Sequence, residues 1–317
     1  MLARPDSRPA VHGGLFRSAV KGGIRSGLPL LATLAVLVIG GCGDDRSAEP
    51  ADDLPPLDVV SLSPAITTTM IDLGQADRLV GRTPWCRGID DRPVVGTLEG
   101  VDAEVLVALR PAVVLHQPPA TGTDPVLLEL QERLGFTLGG GRLDGVRDVL
   151  DLLEQVEGME LAASEKIESR RRALVAIEGS RVPEDAPVAA LLYSIDSIGI
   201  AGEDTYFGEL SRAVGLRNAA GPGGWREWSL EMLVSAGVDV VVVFTQPGME
   251  STVRERFNAI QWPRRPALVV VTSPDAFEPS TRMPRVLEEF QRRVEEAGVL
   301  GRVVPSSRDE GEVIGEG

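Results

Sequence analysis

Cysteine, histidine and tyrosine are almost missing, with two of each in 317 residues. Cys42 and Cys86 cannot build a disulfide framework. With Cys42 assigned below to another use, Cys86 has no partner, and the core must hold by packing alone. His12 lies within the first 41 residues, so His116 is the one histidine of the remainder. A receptor for bare zinc or manganese gathers several nitrogen or carboxylate ligands, which a single histidine cannot supply. Acid–base catalysis loses its commonest group for the same reason. The sequence has no nucleophile elbow, Walker loop, HExxH helix or histidine–carboxylate pair, so it is not expected to be an enzyme. Positive charge is short as well: 32 basic against 47 acidic side chains leave a net charge of −15. Such a surface repels phosphates, and nucleic acid is not an expected partner. What remains is an ordinary globular balance, 43% apolar and 25% charged, in a length that suits two domains once a leader is removed.

The leader is read at residues 1–41. Arg4, Arg8, Arg17, Lys21 and Arg25 precede the apolar run Leu28 to Ile39. About a dozen residues are too few to span a bilayer core of ~30 Å, so the run reads as the apolar region of a secretory signal. It ends Ile39-Gly40-Gly41-Cys42, which resembles a bacterial lipobox and implies lipidation of Cys42. Residues 42–56, rich in Asp and Pro, read as a flexible tether between lipid and domain. The expected product is exported and held on a membrane by its lipid, in the periplasm or an equivalent extracytoplasmic space.

Beyond the tether, short apolar strands alternate with amphipathic helices, an α/β pattern. Strands are expected at 58–62, 79–81, 94–96, 112–115, 136–138, 188–193, 238–244 and 267–271. Helices are expected from Ala65 to Gly74, over 103–109, from Asp124-Pro125 to Gly135, over 143–156, 207–214 and 230–236, and over 284–297. Ser63, Asp124 and Ser229 stand where a side-chain oxygen caps a helix start. Residues 160–179 form a long helix crowded with charge, read as a connector lying across both halves. Glu104–Leu115 and Glu231–Val242 repeat one helix–turn–strand unit, once per half. The divisions are a first lobe at 57–158, a connecting helix at 159–181, a second lobe at 182–304 and a disordered tail at 305–317. The fold class is α/β, with two Rossmann-like lobes joined by one long backbone helix and a ligand cleft between them.

Val59-Val-Ser-Leu-Ser-Pro-Ala-Ile-Thr67, Leu73-Gly74, Asp77-Arg-Leu-Val-Gly81, Val94-Val-Gly96 and Leu106-Val-Ala-Leu-Arg-Pro111 are similar to the cobalamin and ferric-siderophore class of periplasmic substrate-binding proteins. Trp225, Ser229, Glu231 and Asp275-Ala-Phe-Glu278 fit the same resemblance, which spans about residues 57–297. It implies two lobes on a rigid helical backbone and a monomer that feeds the permease dimer of an ABC importer. It implies no intrinsic cofactor; the transported ligand would carry cobalt or iron, as a corrinoid, with ferric siderophore or haem as alternatives. A tethered scavenger or sensor without a permease is the reading from another class. The sequence departs from the family at Thr68, where an acid is common, at Ala276, where an aromatic is common, and at His116-Gln117.

In open α/β sheets ligands sit beyond the carboxyl ends of the strands. Trp85 matches an aromatic that contacts the corrin, and also suits a loop anchor. Cys86 suits a buried apolar residue or a metal ligand. His116 suits an axial metal ligand or a strand-end group bonded to backbone. Gln117, Tyr193, Trp225, Trp228 and Phe277 complete the expected ligand-binding set with Arg282. Arg82, Arg87 and Arg226 are further guanidiniums that would meet an anionic ligand. Asp124 and Glu278 fall where the resemblance implies carboxylates that dock the permease, although Asp124 also suits a helix cap.

Overall fold

The computed structural model describes residues 57–97 and 100–300, all within one compact unit. The leader, Cys42, the tether and the tail from 305 lie outside the described residues. Among the described residues no helix is long and apolar enough to cross a membrane.

The first lobe is built from β1 (Val59–Leu62), α1 (Pro64–Asp72), β2 (Leu79–Gly81), α2 (Ala103–Leu109), β3 (Val113–His116), α3 (Pro125–Leu134), β4 (Thr137–Gly140) and α4 (Val146–Gly158). Its four strands form a parallel sheet in the order β2-β1-β3-β4. Alternate residues face opposite sides of the sheet: Val59 and Leu115 enter one apolar cluster, Val60, Leu62 and Val114 the other. Both faces are covered by helices, which is why the central strand β3 opens with the apolar run Val113 to Leu115. Pro64 starts α1, but the Ser63 hydroxyl does not cap it; it donates to Gln117 Oε1 at 2.8 Å. Asp124 does cap α3, and Gly135 ends it at φ 75°, as read from the sequence. Residues 94–96 form no strand; they make only isolated bridges, Arg82 with Val94 and Gly96 with Val101. Pro93 has no N–H to extend the ladder.

The connector is α5, Ser164–Glu178. At 15 residues it is about 22 Å long, shorter than expected because Glu160 takes a positive φ and separates it from α4. It packs against α4 of the first lobe and against α6 and α9 of the second. Only Ile167, Leu174 and Ile177 are buried, and they join an apolar cluster that runs through both lobes. A narrow seam of this kind leaves the other faces to water, which accounts for the helix's charge.

The second lobe comprises β5 (Val188–Ser194), β6 (Gly199–Ala201), α6 (Tyr206–Val214), β7 (Arg217–Asn218), β8 (Trp225–Glu227), α7 (Leu230–Ser235), β9 (Val240–Thr245), α8 (Glu250–Ala259), β10 (Ala267–Thr272) and α9 (Met283–Glu296). The sheet order is β10-β9-β5-β6-β8, with β7 beside β5. The strands β10, β9 and β5 are parallel, whereas β6 and β8 add an antiparallel edge. The repeated units are α2–β3 and α7–β9, each delivering a central strand beside the first strand of its lobe. Strands β6, β7 and β8 and helix α8 have no counterpart in the sequence reading. Two- and three-residue strands are too short to show a period. Trp225 begins strand β8, paired with β6, and Trp228 follows its end.

Candidate functional site

The loops that follow the strands of the two lobes meet each other. Residues 82–93 follow β2 and residues 273–282 follow β10. Between them, Arg87 Nη2 donates to Glu278 Oε1 at 2.7 Å, to the carbonyl of Pro274 at 2.9 Å and to Asp275 Oδ1 at 3.4 Å. Thr68 Oγ1 of α1 donates to Glu278 Oε2 at 2.8 Å. On another side, Tyr206 N–H donates to the Asp144 carbonyl at 2.8 Å, and the α6 carboxylate of Glu209 accepts from Val146 N–H at 2.6 Å. Carboxyl-end loops of both sheets therefore share one inter-lobe region, the place where open α/β sheets bind ligands.

Aromatic rings gather on the second lobe at this region. Trp225 stands edge-on to Tyr193, Tyr206 and Phe207, with ring centroids 5.3 to 5.4 Å apart. Phe207 also touches Phe277 at 6.0 Å and stacks on Phe244 at 3.7 Å. Phe207 and Phe244 are buried, whereas Trp225 and Phe277 each remain 39% exposed. The arrangement is a pair of exposed ring surfaces seated on a rigid aromatic base. A Cβ at Gly199 would enter the Tyr193 ring, so glycine is needed for that ring to lie over β6. The Tyr193 hydroxyl donates to the Arg226 carbonyl at 3.3 Å. Tyr206 donates its hydroxyl to the Ala276 carbonyl at 2.9 Å, and burial, with the nearby Glu278 charge, pushes its pKa up. Trp85, in the first-lobe loop two residues before Arg87, is 52% exposed.

The other expected residues separate from this surface. Trp228 packs on the apolar cluster of the far sheet face with Leu192, Ile198 and Leu233. Trp262 packs on Phe257 and donates to its carbonyl. Cys86 is buried, its Sγ 3.2 Å from Thr83 Oγ1. His116 lines a first-lobe cavity of about 30 Å³ with Gln117, Val101, Asp124 and Leu127, room for about one water. Its Nε2 lies 3.5 Å from Thr123 Oγ1, and burial lowers its pKa. As placed, the ring addresses a water-sized space and not a macrocycle. A Cβ at Gly140, across the strand pair, would strike the His116 backbone. Asp124 has both oxygens engaged, Oδ1 by Val126 N–H at 2.9 Å and Oδ2 by Val101 N–H at 3.3 Å. Arg282 stands 3.5 Å from Asp275 and 3.9 Å from Asp72. A larger cavity, about 660 Å³, lies at the opposite end of the second lobe, by Pro187, Asp239 and Ala267 at the amino ends of the strands.

Sequence reasoning missed Asp72, Tyr206 and Phe207. Asp72 is 5% exposed and accepts from Arg170 of the connector at 2.6 Å, with Arg285 of α9 at 3.5 Å. Nothing local marks it, since its partners lie 98 and 213 residues away.

Glu209 yields a pH prediction. Burial raises its pKa, partly offset by the Val146 N–H. A carboxyl raised in the folded state favours folding below its unfolded value near 4.5, and that contribution is lost as pH rises through the folded value. Glu209→Gln keeps an acceptor for Val146 without the charge. It is expected to raise the Tm at pH 7 by about 2 °C or less, solvent screening limiting the gain. The gain should vanish near pH 4, read by thermal unfolding across that range. A variant less stable than the parent at pH 7 would refute the reading.

No curated protein matches the sequence. Among solved structures the fold is similar to the periplasmic haem-binding protein BhuT in complex with two haems, at 22% identity and a TM-score of 0.60, over 76% of this chain and 98% of that one. It is similar to the vitamin B12-binding protein BtuF of Vibrio cholerae, at 16% identity and TM-score 0.57, with the same coverage. The periplasmic haem-binding protein RhuT from Roseiflexus sp. RS-1 aligns at 20% identity and TM-score 0.57, again over 76% and 98%. These likenesses establish the two-lobed fold. The sequence pattern of the periplasmic binding proteins matches residues 59–259, so the chain belongs to that family of binding proteins, a membership that implies an extracytoplasmic location.

Proposed function

We propose that this chain is the substrate-binding component of an ABC importer, anchored through a lipid on Cys42, that captures a corrinoid ligand and delivers it to a permease dimer. The observation that carries the reading is the exposed face of Trp225 and Phe277 on a buried aromatic base, with Trp85 on the facing loop. Such faces stack on a flat macrocycle and exclude water from it. Haem is the second reading, favoured by Arg87, a half-exposed guanidinium paired with Glu278, the residue after Phe277, that suits a carboxylate-bearing macrocycle. A ferric siderophore would use the same cation. Docking on the permease through Asp124 and Glu278 would draw each carboxylate away from the partners it now holds, the α3 cap and the Arg87–Thr68 contact.

Tryptophan-fluorescence titration of the full chain with cyanocobalamin, cobinamide, haemin and a ferric siderophore tests the reading. One of them is expected to bind with micromolar affinity or tighter. Trp225→Ala should weaken that binding by about 10- to 30-fold. Trp228→Ala should leave it within about twofold while lowering stability, because that ring only packs. Flat titrations with all four compounds would reject the ligand class.

A further inference from the structure

The polar contacts between the lobes form one connected chain of groups. Asp72 of α1 meets Arg170 of the connector and stands 3.9 Å from Arg282, Arg282 meets Asp275 at 3.5 Å, Asp275 meets Arg87 at 3.4 Å, and Arg87 meets Glu278 at 2.7 Å, which returns to α1 through Thr68. At both ends the carboxylate is largely buried and its arginine is not: Asp72 is 5% and Arg170 37% exposed, Glu278 14% and Arg87 47%. Arg87 reaches across from the first-lobe loop, and Glu278 also accepts from Thr68.

We propose that Arg87, Glu278 and Asp275 form an ionic latch that ties the two rim loops to each other and that salt releases. A pair whose guanidinium is half exposed is screened by salt, with a Debye length of ~8 Å at physiological ionic strength. Glu278 is thereby committed to its own lobes and not presented as a free carboxylate. The inference concerns the ligand-free protein and does not depend on which ligand it takes.

The Arg87 side chain reaches Pro274, Asp275 and Glu278 through the single nitrogen Nη2. A lysine ammonium at that place can therefore substitute, whereas a methionine keeps the bulk and loses the charge. Hydrogen exchange of the ligand-free full chain is the test. Arg87→Met is expected to raise amide exchange about fivefold in both segments, 84–88 and 274–279, and Arg87→Lys should restore most of the protection. Salt at 1 M should reproduce the methionine effect in the parent. Loosening confined to 84–88, equal behaviour of the lysine and methionine variants, or no salt response at 274–279 would overturn the latch. Folding of each variant is confirmed by the unchanged protection of the central strands β5 and β9.

Discussion

Replacing Phe207 by alanine is expected to lower the unfolding free energy by about 4 kcal/mol, a fall of about 8–16 °C in Tm for a domain of this size. Phe207 is completely buried and stacks on Phe244, its ring planes 8° apart. It also supports Trp225 and Phe277 from beneath. The cavity left by its ring would sit under both exposed aromatics. Loss of stability and loss of ligand affinity are therefore expected together in this variant. Phe207→Leu, closer in volume, should cost less than about 1.5 kcal/mol yet still leave the Trp225 edge without its aromatic partner. Phe277→Ala should cost clearly less than Phe207→Ala, because that side chain is 39% exposed whereas Phe207 is fully buried. Calorimetry and the fluorescence titration, run on the three variants, separate the two roles. A Phe207→Ala protein with unchanged Tm would show that the stacked pair is not the base of the site.

Asp72→Ala is expected to cost about 2 kcal/mol, because the carboxylate is buried while its arginines remain partly exposed and screened, with a Tm decrease of about 4–8 °C. The carboxylate has three arginines within reach, from the connector and from the second lobe. Without it, Arg170, Arg282 and Arg285 face one another with only Asp275 to offset them, and the Arg282 Nε, buried without a hydrogen bond, loses its nearest carboxylate. Asp196→Ala serves as the comparison. Its pair with Arg256 is exposed on both sides, and its removal should change stability by less than about 0.5 kcal/mol. Equal effects of the two substitutions on the thermal midpoint would refute the idea that Asp72 ties the lobes together.

Much of the architecture was legible because its signals are local. Strand β9 announced itself through Val240 to Val243, apolar at every position because helices cover both sheet faces. The caps at Asp124 and Ser229 and the stops at Gly135 and Gly215 follow from backbone hydrogen bonding within a few residues. The repeat of α2–β3 in α7–β9 carried the two-lobe expectation. Trp225 was singled out as a ligand-binding residue, but its strand was not, since a three-residue edge strand has no period to detect.

The sequence alone determined most of the longer strands and helices, the two-lobed architecture and the family. Each of these rests on patterns that recur within a dozen residues. Only the tertiary structure decided which side chains meet across the halves. Arg87 and Glu278 are 191 residues apart, Thr68 and Glu278 are 210 apart, and Asp72 and Arg170 are 98 apart. An ion pair leaves no mark on the periodicity of either segment, because its energy depends on distance and burial in three dimensions. The same reason separated Trp225 from Trp228: close in sequence, they lie on opposite faces at one sheet edge, and only folding the chain shows which joins the aromatic group of Tyr193, Tyr206 and Phe207 and which packs on the other face.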